Sequence, residues 1–303
     1  MVASPLNVNG ILREAINVPA RNGKFALQVM LTILSPFSLI GLLHYLLVGF
    51  LIHKVEDGYE NSSLDQKDVR TLIGLELVFL AAFFFVSFFG TMLTIHASAS
   101  SYLGKTAGLK DLISLIRFAW KNPLITWLYV SCFTVIYTVL AIVLIKLVSL
   151  LGPANYATYV LGWFLAILAV LFYLYLDVSW TLAIVISVLE EGSCGTKGLK
   201  RSEKLIRGRK SQGFLLMLIL KVLSVPIYVL FYVIATDDDD ELGAFTQFAF
   251  GFVATVFFCL AKFFDSVVFT VFYYECKQSK GERIEMELGV GDSLVPQKLD
   301  VEF

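Results

Sequence analysis

The chain has 303 residues, of which 57% are hydrophobic and only 16% are charged. A soluble domain carries about 25% charged residues, whereas the apolar residues here form runs longer than the roughly 20 residues that cross a bilayer as a helix. The formal net charge is -1 and no basic domain stands apart from the apolar runs, so we expect no nucleic-acid binding. This composition predicts an all-α, polytopic membrane protein.

The first part of the chain predicts a short amphipathic helix and two membrane spans. Residues 7–22 form the amphipathic stretch, and the spans cover 25–53, with Pro36 near the middle, and 71–97. The loop between the spans is acidic and contains Asn-Ser-Ser from Asn61, the acceptor pattern for N-glycosylation. Because the N-terminal segment is too polar for a cleavable signal peptide, we expect the first span to stay uncleaved.

The same order recurs twice. Residues 108–121 form the clearest amphipathic helix, and the densest basic segment of the chain lies at 194–211. Each of these segments precedes two further apolar runs. The remaining four predicted spans cover residues 124–151, 156–188, 213–234 and 244–274.

The three short segments begin alike, with Gly10, Gly108 and Gly198 each followed by apolar and then charged residues. This similarity predicts one membrane domain over residues 1–303 that is built from three parallel repeats of an interfacial helix and a membrane hairpin. The alternative is that polar-to-apolar boundaries simply look alike. The predicted units and the polar, poorly ordered tail cover residues 7–97, 105–188, 194–274 and 275–303.

Basic residues are concentrated on one side of the predicted membrane. The N-terminal segment, the two loops before the third and fifth spans, and the tail hold 18 Lys and Arg residues, whereas the three loops on the other side hold 3. Short loops rich in Lys and Arg stay in the cytoplasm. The asymmetry predicts cytoplasmic termini, and the lack of a clear sorting motif leaves the endoplasmic reticulum, Golgi and plasma membrane open.

Motifs around the basic segment resemble a known group of membrane proteins. The motifs are Val188-Leu-Glu-Glu, Gly198-Leu-Lys-Arg-Ser and Leu205-Ile-Arg-Gly-Arg. They resemble six-helix proteins related to the membrane domain of glycerophosphodiester phosphodiesterases and to bacterial inner-membrane proteins. The segment at 13–22 is similar to the start of a plant branch of that group. The resemblance implies a six-helix fold without a settled activity, and the soluble phosphodiesterase barrel of some relatives does not fit beside six spans in 303 residues.

Four charged residues fall inside the predicted spans at similar depth: Asp177, Lys221, Lys262 and Asp265. Charges inside a membrane are costly, so they pair with one another or line a functional cavity. One interpretation is a set of structural ion pairs that joins the last three spans. The other is a polar pocket that opens to the cytoplasmic leaflet.

The basic segment is a second candidate site. Juxtamembrane cations attract anionic lipids by about 1 kcal/mol each, although such residues also act simply by fixing the topology. Cys194 and Cys276 lie near span ends, where palmitoylation occurs, and ordinary free thiols are the alternative. The candidate lipid contacts are Lys197, Lys200, Arg201, Lys204, Arg207, Arg209 and Lys210.

No catalytic, nucleotide-binding or metal-binding motif is present in the sequence, and the three histidines are widely spaced. We therefore predict no enzyme, no metal and no cofactor. The predicted function is a lipid-associated scaffold or organising protein of the endomembrane system, with anionic headgroups of the cytoplasmic leaflet as partners. A transporter of lipids or small solutes that uses the intramembrane charges is the alternative, and no protein partner follows from the sequence.

Overall fold

A computed structural model describes residues 6–60, 66–105, 108–151, 156–235 and 244–282, and these ranges form nine α-helices and no strand. The first unit contains α1 (Val8–Arg21), α2 (Gly23–Glu60) and α3 (Gln66–Tyr102). The second contains α4 (Leu109–Ala119), α5 (Lys121–Leu151) and α6 (Tyr156–Leu189). The third contains α7 (Thr196–Ile206), α8 (Lys210–Ala235) and α9 (Ala244–Ser279). The all-α fold is confirmed, with one short helix and two long helices in each unit.

Six helices in the described part of the chain are long and apolar enough to cross a membrane. The prediction of a polytopic membrane protein is therefore confirmed. The candidate spans are Gly23–Val48, Gln66–Tyr102, Lys121–Val148, Tyr159–Leu189, Lys210–Val233 and Ala249–Ser279.

Several helices extend beyond the predicted spans. α2 continues to Glu60 and α3 begins at Gln66, so the acidic loop predicted between these spans is helical at both ends. α9 continues to Ser279, which makes the first residues of the predicted tail helical. Apolar runs mark only the part of a helix inside the bilayer, because polar residues continue the helix into water. Asn61, the acidic run at 237–241 and the tail after residue 282 lie outside the described residues.

The core is organised around the second half of α9. Residues 267–276 are all buried, and α9 contacts α1, α2, α3, α6, α7 and α8. A helix that is apolar on every side is typical of such a central position. Phe269 and Phe272 are buried in this core, whereas Phe252 and Phe257 are exposed nearer the start of α9.

The three short helices each bury one side at helical spacing. Ile11, Ala15 and Val18 of α1 are buried, as are Leu112 and Ile116 of α4. Because two long helices separate successive short helices, α1, α4 and α7 lie at the same end of the bundle, together with the end of α9. We call this the basic end, since the segments 8–24, 98–123 and 189–212, which contain these short helices, carry 14 of the 24 Lys and Arg residues.

The two long helices of each unit contact each other, α2 with α3, α5 with α6 and α8 with α9, and extend to the opposite end of the bundle. Large apolar side chains there are exposed, among them Leu140 of α5, Trp163 and Phe164 of α6, and Tyr232 of α8. Exposed apolar surfaces of this kind contact lipid in a bilayer.

Candidate functional site at the basic end

α7 presents three of its four basic residues on one exposed side. Lys197, Lys200 and Lys204 are exposed at i, i+3 and i+7, and Arg207 follows at the helix end on the same side. The opposite side of the helix is buried against the bundle, through residues that include Gly198, Ser202, Leu205 and Ile206. Four of the seven predicted lipid contacts therefore form one exposed cationic surface, which we call the α7 surface.

Arg201 does not belong to this surface. Its Nε donates to Glu190 Oε2 at 3.1 Å and its Nη1 donates to Glu282 Oε1 at 3.0 Å. Glu190 also accepts from Tyr273 Oη at 2.8 Å and lies 3.2 Å from Lys277 Nζ. These contacts join the end of α6, α7 and the end of α9, so Arg201 positions α7 instead of binding lipid.

The charges of this network stabilise one another. Burial of Glu190 opposes its ionisation, but hydrogen bonds from Arg201 and Tyr273 outweigh it and lower the pKa of Glu190. Hydrogen bonding from Arg201 also lowers the pKa of Glu282. Hydrogen bonds to Glu282 and Glu190 in turn raise the pKa of Arg201. All three groups are therefore charged at neutral pH.

Arg209 is buried and also does not belong to the α7 surface. Its side chain is 9% exposed, its Nη2 donates to the backbone carbonyl of Leu6 at 2.5 Å, and its Nε donates to Gln212 Oε1 at 2.7 Å. Glu275 Oε2 lies 3.8 Å from Arg209 Nη1 and accepts from the Leu6 backbone N–H at 2.8 Å. Tyr102 Oη donates to Glu275 Oε1 at 3.4 Å. This buried network joins the N-terminal segment, α3, the start of α8 and α9.

Lys210 occupies an intermediate position. Its Nζ donates to Tyr175 Oη at 2.9 Å and lies 4.0 Å from the exposed carboxylate of Glu203. The ammonium group is half-buried and lies over the Tyr175 ring.

Of the seven predicted lipid contacts, Arg201 and Arg209 are internal ion-pair residues, because carboxylates from distant segments bind them.

A model of the family described as Domain of unknown function (DUF8558) matches residues 4–294. The chain belongs to this family. The match covers the three units and both networks, and the family description assigns no activity. No curated protein and no solved structure matches the chain.

The intramembrane charges are only partly brought together. Lys221 Nζ of α8 lies 3.2 Å from Asp177 Oδ2 of α6, which joins the second and third units. Lys262 of α9 lies in a narrow crevice against α2 and α3, with its Nζ 5.9 Å from the Phe258 ring centre. Asp265 lines a different cavity, between α8 and α9. Among the described residues, Lys262 and Asp265 form no ion pair within 4 Å.

The two cysteines differ in access. Cys194 is half-buried before α7, so its thiol stays a candidate for palmitoylation. Cys276 is buried on α9 beside Glu275, and a thiol enclosed in the core is not accessible to an acyl donor.

Within the described ranges, no three His, Cys, Asp or Glu side chains are grouped to hold a metal ion. His44 contacts Glu76 at 3.2 Å across α2 and α3, and His96 is buried in α3.

Sequence reasoning missed the carboxylates that bind Arg201 and Arg209. Glu275 directly follows the last apolar residues of α9, and the prediction assigned it to the tail. The available signal was its spacing from Phe272, Val271 and Val268, which places it on an apolar helical face. Glu190 similarly follows α6 without a break. A carboxylate at such a position is costly unless it is paired, so a buried cation was to be expected.

Proposed function

We propose that this protein is a non-enzymatic, lipid-associated membrane scaffold that holds anionic lipid headgroups against the cytoplasmic leaflet of an endomembrane. The observation that carries the proposal is the α7 surface, where Lys197, Lys200, Lys204 and Arg207 are exposed on one side of a helix. Cations at a membrane surface attract anionic lipids by about 1 kcal/mol each.

The attachment of α7 to the bundle supports this role. Arg201 is bound to Glu190 and Glu282. Gly198 packs closely against the segment before α7, since a Cβ at this position would lie 3.1 Å from the Ser193 carbonyl oxygen. The cations are therefore carried by a fixed helix at the membrane boundary. A fixed array loses less conformational entropy on binding lipid than a mobile loop does.

The test uses the purified full-length protein in nanodiscs of phosphatidylcholine doped with phosphatidylserine. We expect enrichment of phosphatidylserine around the protein, and added salt is expected to weaken it because the charges are exposed. Replacing Lys197, Lys200, Lys204 and Arg207 by Gln is expected to lower the enrichment by roughly tenfold or more. Equal recovery of both lipids by the wild-type protein would overturn the proposal.

A matched variant separates the α7 surface from general charge. Arg13, Lys24, Lys105 and Lys121 are exposed at the same end but lie outside α7. Their replacement by Gln changes the net charge equally, and we expect it to retain most of the enrichment. An equal loss in both quadruple variants would show that net charge, and not the α7 surface, attracts the lipid.

A lipid or small-solute transporter is the second candidate, and Asp265 is the observation that favours it. This carboxylate lines a groove of about 560 Å³ between α8 and α9. The other residues that line the groove are apolar except Ser224, so the groove suits a lipid better than a polar solute. Asp265→Asn is expected to abolish transport in reconstituted vesicles at unchanged folded yield if this candidate is correct. Loss of folded protein would instead assign Asp265 to structure.

A further inference from the structure

A second groove lies where helices of the first and second units meet. It has a volume of about 510 Å³ and runs between α2, α3 and α4, a size typical of sites for small ligands. Its walls are apolar and include Phe85, Phe89 and Ile113, whose side chains are 51%, 41% and 49% exposed. We call it the α4 groove.

Two residues shape the inner side of this groove. Gly90 of α3 approaches α2 closely, since a Cβ at this position would lie 3.2 Å from Ile33. Pro36 lies inside α2 next to the groove and has no backbone N–H to donate. The close approach of α2 and α3 at Gly90 bounds the groove on one side, and the exposed residues Phe85, Phe89 and Ile113 line its accessible part.

A cavity with both polar and apolar walls adjoins the α4 groove, and Thr32 lines both. This second cavity has a volume of about 580 Å³ and is lined by α2 and the start of α4, including Gln28, Lys110 and Asp111. An apolar groove that adjoins a cavity with amide, ammonium and carboxylate side chains fits a molecule with a hydrocarbon chain and a polar head. A membrane lipid has this shape.

The basic side chains of α4 favour a lipid with an anionic headgroup. Arg117 lines the α4 groove and Lys110 lines the adjoining cavity. The two are seven residues apart, which is two helical turns, so both lie on the same side of α4. Neither forms a hydrogen bond or an ion pair within the described part of the chain. The nearby carboxylate of Asp111 is engaged, because it accepts the Gly108 backbone N–H at 3.1 Å.

We propose that the α4 groove binds one anionic glycerophospholipid from the leaflet at the basic end. An acyl chain occupies the apolar part between α2 and α3, and Lys110 and Arg117 bind the phosphate. Trp120 lines the groove at the boundary, where amphipathic rings are favoured. This site goes beyond the α7 surface, which attracts many lipids without enclosing any of them.

The groove between α8 and α9 provides an internal comparison. It has a similar volume, about 560 Å³, and it also lies beside a helix-interior proline, Pro226. None of the described residues that line it is basic, and it contains Asp265. Its chemistry therefore disfavours an anionic head, and only the α4 groove is expected to select one.

The experiment measures lipid that stays bound to the full-length protein after detergent washing, by native mass spectrometry. The protein is first exchanged into a mixture of phosphatidylglycerol and phosphatidylcholine. We expect one retained phosphatidylglycerol per chain, and we expect water-soluble glycerol phosphate not to displace it. No retained lipid, equal retention of both lipids, or complete displacement by glycerol phosphate would overturn the proposal.

Charge variants test the role of α4. Lys110→Gln with Arg117→Gln is expected to reduce the preference for phosphatidylglycerol by roughly tenfold or more. Lys105→Gln with Lys121→Gln removes the same charge from the same segment outside both cavities, and we expect it to keep the preference. Equal effects of the two pairs would contradict a site on α4.

Groove-filling variants test the apolar part. Thr32→Trp blocks the junction of the two cavities and is expected to lower the retention of either lipid by at least about tenfold. Leu39→Trp places the same side chain on an exposed part of α2 outside the groove and is expected to retain the lipid. Ile113→Trp, at an exposed position on α4, provides a second block if the Thr32 variant folds poorly. Full retention in a folded, blocked variant would refute the site.

The quadruple Gln variant of the α7 surface separates this site from the proposed function. It is expected to keep the retained phosphatidylglycerol while losing the enrichment of lipid around the protein. Loss of the retained lipid in that variant would show that α7, and not α4, holds the lipid.

Discussion

The basic end and the opposite half of the bundle are held together differently. At the basic end, side chains from all three units are buried together, and the buried charges of Arg209 and Glu275 bind each other and the backbone of Leu6. In the opposite half, most side chains of α5 and α6 are exposed. Lipid is as apolar as leucine, so burying apolar surface does not drive helices together inside a bilayer. The basic end therefore specifies the arrangement of the units, while the opposite half is adapted to lipid.

Removing the buried carboxylate at the basic end is expected to have the largest effect. Glu275→Ala leaves the Arg209 guanidinium buried without a counter-charge and leaves the Leu6 N–H without an acceptor. We expect a loss of about 3–5 kcal/mol in the free energy of unfolding, measured by chemical denaturation in detergent.

Two controls accompany this variant. Glu203 has a side chain that is 71% exposed, so Glu203→Gln is expected to change stability by no more than about 0.5 kcal/mol. The double variant Arg209→Met with Glu275→Leu removes both charges and is expected to recover much of the loss. A double variant as unstable as Glu275→Ala would show that the hydrogen bonds matter more than the buried charge.

A pair of substitutions on α6 compares the two regions on one helix. Leu182 is fully buried near the basic end, whereas Leu168 is 52% exposed in the opposite half. Leu182→Ala is expected to cost about 2–5 kcal/mol because it opens a cavity, and Leu168→Ala is expected to cost no more than about 0.5 kcal/mol. Thermal unfolding of both variants in the same detergent checks this, and equal losses would contradict the division into two regions.

Arg201→Gln is expected to have a smaller effect that depends on pH. Its partners Glu190 and Glu282 have lowered pKa values in the folded protein, so their contribution is present at neutral pH and disappears as the pH falls through those values. We expect a loss of about 1–2 kcal/mol at neutral pH. The difference between wild type and variant is expected to shrink in acid, as measured by denaturation across a pH series. The same series with Lys200→Gln is expected to follow the wild type, since Lys200 is exposed on the α7 surface.

The smallest expected effect is that of a change in Asn61, which we expect to leave folding unchanged. If the termini are cytoplasmic, the Asn-Ser-Ser triplet faces the lumen and receives a glycan. Asn61→Gln is then expected to remove an endoglycosidase-sensitive shift on gels without a change in thermal stability. The opposite orientation would be indicated by two results together: no glycan at Asn61 in the wild-type protein, and labelling from the cytoplasmic side of a cysteine introduced into that loop.

The elements of this fold could be predicted because their signals are local. The length of each apolar run predicts a span, and the spacing of Ile11, Ala15 and Val18 predicts the amphipathic helix α1. The helix ends were less predictable. At Glu60 and Ser279 the helices continue through polar residues, which no longer differ from a loop in hydropathy.

The pairing of charges could be predicted only in part. Positive charge near Gly198 was evident, yet the sequence does not show which cations face outward, because their partners lie far away along the chain. Glu282 binds Arg201 across 81 positions, and Leu6 binds Arg209 across 203. Ion pairing among the four intramembrane charges was one of two interpretations, and of these charges Asp177 and Lys221 lie 3.2 Å apart. Lys262 and Asp265, three residues apart, line different cavities.

The contact of Leu6 with Glu275 and Arg209 has a consequence for biogenesis. The backbone of Leu6 is bound by side chains that are synthesised about 200 residues or more later, since Glu275 lies 269 positions away. Each hairpin can enter the membrane as soon as it leaves the ribosome, but α1 cannot reach its final place before α9 is made. Insertion and assembly are therefore separate stages, and a nascent chain that lacks α9 exposes the buried side of α1 to quality control.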